Sequence, residues 1–431
     1  MIKKMIKKII PNKLVLFYHW FLSKTASLYY NNPSKNIIVI GVTGTNGKTT
    51  TTNIIAQLLE CLGEKTGLTS TVNFKTGNKE WLNNKKMTML GRFQTQKLLK
   101  RMVKNKCKYV VIETSSQGIE QYRHSGINYD IVVFTNLTPE HIEAHGGFKN
   151  YRAAKEKLFK HLSKCKKKVI NNKKINKIII TNSDDEETKR LKKYKVDKFI
   201  TYGFNNKAEY KGENLKIENG LVSFSLNNNN IKTEFLGEFN GYNILASIST
   251  ALSLNFDINS IIKCKLKGIP GRQEFINQEQ DFKVLIDYAP EPEGLKQLYK
   301  ALKFLPKNKL IHVLGSCGGG RDVFRQDILG DIASKNSDIV IVTNEDPYDD
   351  DPKEIINRII EGAIKNNKIL NKDLFKIEDR EKAIKKALDL ANKNDLVLIT
   401  GKGAEQAICV SKGKKIDWDD RKVTKKLLKN I

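Results

Sequence analysis

The sequence predicts an α/β protein built as a P-loop central domain with a mostly parallel sheet, followed by a C-terminal Rossmann-like α/β domain. Three observations carry this. A glycine-rich stretch, GVTGTNGKTT at Gly41–Thr50, lies between an apolar run and an apolar-periodic helix. From Asn36 onward, short apolar runs alternate with helical segments, the pattern of a parallel sheet with crossover helices. The alternation restarts after PGRQEF (Pro270–Phe275), which puts a domain boundary near Gly271.

In chain order, residues 1–35 form a basic amphipathic and aromatic segment. Ile2, Met5, Ile6 and Ile9 share one helical stripe with Lys3, Lys4, Lys7 and Lys8 opposite, and LVLFYHWFL (Leu14–Leu22) follows Pro11. Such a segment either lies on an anionic membrane surface or docks on the body of the protein. No small-residue cleavage site marks it as a signal peptide. The central domain, 36–270, opens with the strand NIIVIGVTG. The helix TTTTNIIAQLLECLG follows, with Ile54, Ile55, Leu58, Leu59 and Leu62 on one face and Gly63 as its stop. KYVVIETSS and YDIVVFTNLT read as further buried strands, and KVINNKKINKIIITN as a less regular one. The alternation in GLVSFSL and the NNNN run predict a small β insert near 198–235, before GEFNGYNILASISTALSL returns to helix. The C-terminal domain, 271–431, supplies the strands FKVLIDYA, KLIHVLGS, SDIVIVTNED and DLVLITGKG.

Composition narrows the class. A hydrophobic share of 39% and a charged share of 29% are ordinary for a globular protein. The net charge of +29, from 76 basic and 47 acidic residues, is spread over nearly every segment. Without an Arg–aromatic cluster, no nucleic-acid partner is expected, and the basic surface suits a phosphate-rich substrate. The six cysteines are scattered with no CxxC pair, so neither a disulfide framework nor a zinc site is expected and the compartment is a reducing cytoplasm. No apolar run approaches the roughly 18–20 residues that span a bilayer.

The phosphate loop is the chemical starting point. Successive backbone N–H groups and a helix N-terminus cradle phosphate oxygens. Gly41, Gly44 and Gly47 permit close approach, Lys48 reaches the β- and γ-phosphates, and Thr49 is placed for Mg²⁺. Val42 occupies the position of the first glycine of the strict GxxxxGK[ST] pattern. Ligands of open α/β sheets collect at strand ends, and there the sequence puts Glu113, Asn136, Thr138, Glu140, His141 and His145. Glu113, His141 and Thr49 on one sheet edge form a credible Mg²⁺ constellation for phosphoryl chemistry. Taken alone, Lys155 in KNYRAAKEKLF is one more surface lysine on an amphipathic helix.

Ten motifs then resemble one family in order and spacing: GTNGKTTTT, ETSSQ, FTNLTPEHIEAHGGFKNYRAAKEKLF, GEFNGYN, PGRQE, DYAPEP, GSCGGGRD, TNEDPYDDDP, GKGAE and WDDR are similar to the Mur ligases. The nearest branch is the MurE type, which adds the third residue of the peptidoglycan stem peptide. The resemblance runs from about Asn36 to the C-terminus. It implies an ATP-dependent ligase that phosphorylates a carboxylate and lets an amine attack the acyl phosphate. The implied nucleotide contacts are Gly44, Thr45, Asn46, Gly47, Lys48, Thr49 and Thr50 of the loop, with Asn240, Asn243, Arg272 and Asp287. Thr49, Glu113 and His141 are implied Mg²⁺ ligands, and Lys155 falls where such ligases carry a carbamylated lysine. The catalytic set is then Lys48, Glu113, His141 and Lys155. Implied substrate contacts are Thr114, Ser115, Arg321, Asp346, Tyr348, Gly401 and Glu405. The partners would be ATP, a peptidoglycan precursor and an amino acid, with the protein a cytoplasmic monomer, touching the inner membrane face through residues 1–30.

Four departures bear on the substrate. The family's UDP-gripping N-terminal domain has no counterpart in the some 36 residues before the first strand. Pro290 in DYAPEP and Ala404 in GKGAE replace family histidines. EDPY, Glu345–Tyr348, replaces the DNPR whose Arg clamps the distal carboxylate of diaminopimelate. The acceptor is therefore a UDP-linked dipeptide or, alternatively, a lipid-linked or folylpolyglutamate-type substrate. A P-loop ATPase without ligase activity is the different-class alternative. Asn392–Asp395 matches the guanine-reading NKxD pattern but precedes its strand instead of following one.

Overall fold

The computed structural model describes residues 11–138, 145–320 and 323–430. Two sheets organise the chain. The larger has eleven strands in the spatial order 229–236, 221–226, 210–218, 198–203, 178–182, 131–134, 38–43, 109–113, 66–69, 73–76 and 79–82. Its centre is parallel, with Ile38–Thr43 between Tyr109–Glu113 and Ile131–Phe134. All six residues of Ile38–Thr43 are buried because helices cover both faces, which is why the strand reads as an unbroken apolar run. Lys48–Cys61 and Glu238–Ser253 pack on one face, and Arg92–Lys104 and Phe148–Lys164 cover the other.

Both edges of this sheet end in antiparallel hairpins. One edge, Thr66–Leu82, has too few residues per strand to announce itself in the sequence. At the other, the expected β insert is an extension of the central sheet and not a separate unit. Tyr210–Glu218 joins Lys198–Gly203 in parallel, and the next two strands continue it antiparallel. Its alternating Val222, Phe224 and Leu226 are buried in the same core as the phosphate-loop helix, which fixes the register.

The smaller sheet has six strands in the order 274–276, 283–286, 396–399, 310–314, 339–342 and 374–376, parallel except for the first. Pro292–Leu302, Arg325–Asn336 and Pro352–Ile364 cover one face, with Arg380–Asp389 and Asp420–Leu428 on the other.

One expectation is corrected. Cys61 and Cys264 form a disulfide, 203 residues apart in sequence, with Cα atoms 5.9 Å apart. It joins the end of the phosphate-loop helix to the segment leading into the second sheet, where Gln57 also exchanges two hydrogen bonds with the Lys267 backbone. Scattered spacing did not betray the pair because the fold, not the sequence, brings the two ends together. The other four cysteines form no disulfide. Near the N-terminus, a helix spans Asn12–Tyr29, and the stripe expected in residues 2–9 lies outside the described residues. Among the described residues no helix is long and apolar enough to cross a membrane.

Candidate active site

The phosphate loop leaves the end of the central strand and enters its helix at Lys48. Gly47 sits at φ +79°, and a Cβ there would come within 2.1 Å of Asn243 Oδ1, so only glycine lets the loop lie this close. The next strand end braces the loop: Asn136 Oδ1 accepts from the Asn46 N–H at 2.9 Å, and the Thr135 hydroxyl donates to the Asn46 carbonyl at 2.7 Å. Lys48 Nζ folds back onto the Thr45 carbonyl.

Glu113 ends the neighbouring strand with only 1% of its surface exposed. Its Oε1 accepts from the Thr49 and Thr71 hydroxyls, each at 2.9 Å, and its Oε2 accepts from the Thr71 N–H at 2.7 Å. Three donors thus fix a buried carboxylate beside the first turn of the loop helix. Arg272 approaches from the second sheet's side, with Nη2 3.3 Å from the Thr49 hydroxyl and its guanidinium 4.4 Å from the centre of the Tyr288 ring.

Lys155 is not a surface lysine. It is 3% exposed, its Nζ donates to the Gly44 carbonyl at 2.5 Å, and it lies 4.6 Å from the centre of the Tyr151 ring. The Tyr151 hydroxyl is in turn 3.1 Å from Thr45 Oγ1. Asn243 donates to Asn240 at 2.9 Å, and Asn240 donates to the Gln273 side chain at 2.7 Å, tying the phosphate-loop side to the interdomain segment. Asp287 accepts from the Gln273 N–H at 2.8 Å, and burial raises its carboxyl pKa against the pull of Arg272.

These residues line one cleft of about 1090 Å³ between the two sheets. Lys48, Thr49, Glu113 and Lys155 meet at its floor, and Arg272 and Asp287 face them from the C-terminal side. Ser115, Ser116, Gln117, Arg123, Tyr348 and Glu405 line the same cleft. Thr114 turns away from the cleft; its side chain is fully buried, donating to the Ile112 carbonyl at 3.1 Å and lying 3.3 Å from the Tyr129 hydroxyl. Gly401, at φ +104°, makes room for buried Glu345, whose Oε2 would lie 2.2 Å from a Cβ there. His141 and Arg321 lie outside the described residues, as does Glu140. His145, buried against Ser116 Oγ at 3.1 Å and Glu120 at 3.3 Å, has its pKa lowered by that burial.

Asp346 anchors an interdomain charge cluster and is not a cleft-facing group. It accepts from Lys402 Nζ at 2.9 Å and the Cys409 N–H at 2.7 Å, and pairs with Lys86 from the central domain. Lys86 also lies 3.0 Å from Glu405, which bonds Lys402 at 2.7 Å. Burial opposes the Lys86 charge, but Glu405 and Asp346 outweigh it and raise its pKa. Nothing in NNKKM signalled Lys86, and nothing local signalled Thr71, since both act on partners distant in sequence. Arg380 was equally silent. It is fully buried and forks onto both oxygens of Asp420, in the WDDR stretch, at 2.8 Å each.

The Glu113 carboxylate and Thr49 hydroxyl are hard oxygen donors at the mouth of a phosphate cradle, a donor set that suits Mg²⁺ shared with phosphate oxygens. No group of three or more His, Cys, Asp or Glu gathers among the described residues.

The comparisons with known proteins agree with one another. Residues 42–251 match the Mur ligase middle domain, and residues 271–403 match the Mur ligase, glutamate ligase domain. A UDP-N-acetylmuramoyl-L-alanyl-D-glutamate–2,6-diaminopimelate ligase of Clostridium acetobutylicum is 36% identical over 411 residues, covering 94% of this chain and 80% of that protein. Its counterpart in Syntrophomonas wolfei is 37% identical, covering 95% and 81%. A solved structure of a ligase of that description superposes with a TM-score of 0.62 at 27% identity, over 95% of this chain and 82% of that one. The folylpolyglutamate synthase of Mycobacterium tuberculosis, at 16% identity and a TM-score of 0.67, shares the fold over 89% of this chain and 93% of its own.

Proposed function

The chain belongs to the Mur ligase family, and from that premise we propose that it uses ATP to join an amino acid to a peptidoglycan-precursor peptide through an acyl phosphate. One observation carries the reading: the phosphate loop, Glu113, Lys155 and the C-terminal Arg272 converge on one cleft between two sheets. A lone nucleotide switch has no use for a cleft of about 1090 Å³ that extends beyond the phosphate loop to Ser115, Arg123 and Tyr348.

In this reading the loop from Gly44 to Thr50 wraps the β- and γ-phosphates, and Lys48 swings from the Thr45 carbonyl to the transferring phosphoryl group. Asn240, Asn243 and Asp287 hold the nucleotide side. Mg²⁺, held by Thr49 and Glu113 with His141 as a further ligand, neutralises phosphate charge when bound. Glu113 is held by Thr71 so that its carboxylate keeps one orientation. In this reading the neutral Lys155 amine adds CO₂, forming an N–C bond and releasing a proton to solvent, and the resulting carbamate replaces a cation facing the loop with a carboxylate that would favour a metal. Ser115 orients the acceptor carboxylate, and Tyr348 and Glu405 face the incoming amine. Packing of the C-terminal domain over the floor excludes the water that would hydrolyse an acyl phosphate. Peripheral membrane contact through residues 1–30 and a monomeric state at the inner, cytoplasmic face belong to the same reading. The apolar side chains that Asn12–Tyr29 leaves in solvent support the membrane part.

The test is phosphate release from Mg²⁺-ATP with UDP-MurNAc-L-Ala-D-Glu and a panel of amino acids that includes lysine and diaminopimelate, read alongside mass spectrometry of the products. Release that depends on one amino acid, with a matching tripeptide, is expected. ATP turnover that ignores every amino acid would refute the ligase reading.

A further inference from the structure

The helix Asn12–Tyr29 leaves more apolar surface in solvent than a helix that merely docks on its own protein. On the side packed on the body, Ser23, Ala26 and Ser27 are buried and Val15, Leu16 and Leu22 half-buried. Other large apolar side chains point to solvent: Leu14 is 58% exposed, Phe17 61%, Tyr18 57% and Phe21 53%. Leu14, Phe17, Tyr18, Phe21 and Leu28 recur at helical spacing, so they form one stripe. Scattered exposed hydrophobics are normal, but a contiguous aromatic stripe is not.

The neighbouring helix, Arg92–Lys104, continues the face. Its Phe93 meets the Tyr29 ring at 6.1 Å, and Lys100 Nζ sits 5.9 Å from the Tyr30 ring. Phe93, Lys97, Lys100 and Lys104 share one side of that helix and are exposed. The charge here is one-sided. No Asp or Glu precedes Glu60, and none occurs between Trp81 and Ile112. In the sequence, the eleven residues ahead of Asn12 contain Lys3, Lys4, Lys7 and Lys8. An aromatic stripe flanked by lysines, on two helices that carry no acid, complements an anionic lipid surface. It is poorly matched to an ordinary protein partner of mixed charge.

This face adjoins one wall of the cleft. Arg92 bonds the His19 carbonyl at 3.0 Å and also the Gln121 carbonyl, while Arg123, which lines the cleft, bonds the Gln121 side chain and the Met89 carbonyl. Two arginines thus bridge the helix to the cleft wall.

We infer that the Asn12–Tyr29 and Arg92–Lys104 helices dock on an anionic bilayer surface and present the cleft wall that holds Ser115 and Arg123 to an acceptor anchored there by a lipid. The acceptor half of this inference rests on the ligase reading above; the docking half does not.

The full chain is floated with vesicles of phosphatidylcholine alone and with about 30 mol% phosphatidylglycerol, at about 0.05 M and about 0.5 M salt. Two variants, Phe17→Ser/Phe21→Ser and Lys97→Glu/Lys100→Glu/Lys104→Glu, are run beside it, with turnover of a soluble acceptor as the folding control. Anionic vesicles are expected to bind wild type about tenfold or more tightly than neutral ones, with the gain lost in high salt and in both variants while soluble turnover stays unchanged. Equal binding to both vesicle types, or none, overturns the docking. So does light scattering that finds a wild-type dimer converted to monomer by Phe17→Ser/Phe21→Ser, since a second copy would then cover the face. For the acceptor, a lipid-anchored precursor in anionic vesicles should be turned over about tenfold faster by wild type than by either variant. Equal rates overturn that half. Vesicle binding without turnover of any acceptor overturns the ligase reading and the acceptor half with it, leaving the docking standing.

Discussion

Lys86→Met should weaken the union of the two domains more than it weakens either domain. Lys86 extends from the central domain and is buried against Asp346 and Glu405 of the C-terminal one, where Lys402 balances the cluster as two cations and two anions. Removing one partner of a buried pair costs about 3–5 kcal/mol because the other charge is left uncompensated. Here Lys402 still holds Asp346 at 2.9 Å, so about 2–3 kcal/mol is the better figure. Because the pair exists only when the domains meet, the cost falls on the closed arrangement. At about 1.4 kcal/mol per decade it lowers kcat/KM for the amino acid roughly 30- to 150-fold. The assay is steady-state kinetics in a double-mutant cycle with Asp346→Asn. The double variant should lose less than the sum of the singles, since removing both charges restores balance. A loss below about threefold for Lys86→Met, or additivity within about 0.5 kcal/mol, would refute the reasoning.

Glu113→Gln keeps the shape but not the charge at the loop, and kcat should fall about 100-fold or more with thermal unfolding nearly unchanged; undiminished kcat would remove Glu113 from the chemistry. Lys155→Ala should lose activity that added bicarbonate cannot restore, whereas wild type stripped of CO₂ should regain it with bicarbonate; indifference of wild type to bicarbonate would dismiss the carbamate. His312 is fully buried between the Tyr299 hydroxyl at 2.6 Å and Thr400 at 2.9 Å, and burial, aided by Arg380, pushes its pKa down to about 3. A folded pKa below the unfolded one means this stability is present above about pH 6.5 and is lost as pH falls towards 3, by about 3 kcal/mol at pH 4. Urea midpoints measured from pH 7.5 to 4 should drop accordingly, and less so in His312→Gln. Cys264→Ser opens a covalent loop of 203 residues, and unfolding under non-reducing conditions should show up to about 5 kcal/mol less stability, with reductant erasing the difference.

What the sequence determined by itself is local. The α/β class followed from apolar runs and helical periodicity, because a strand buried on both faces must be apolar throughout. The phosphate loop was legible because its glycines, Lys48 and Thr49 act within one turn, and the ordered motifs pointed to the family. Lys155 shows where residue-level reading stops: its spacing says surface helix, and only the motif's place in the family and then the packing against Gly44 and Tyr151 say otherwise. The tertiary structure decided everything that depends on pairing across long separations. The hairpins that widen the central sheet, the grip of Thr71 on Glu113, the Lys86–Asp346 bridge and the Cys61–Cys264 bond each join residues with no shared local pattern. The outward turn of Phe17 and Phe21 is of the same kind. An amphipathic stripe states that one face is apolar, but which face meets the body depends on what the rest of the chain leaves for it, and here the residues buried fully are the small Ser23, Ala26 and Ser27.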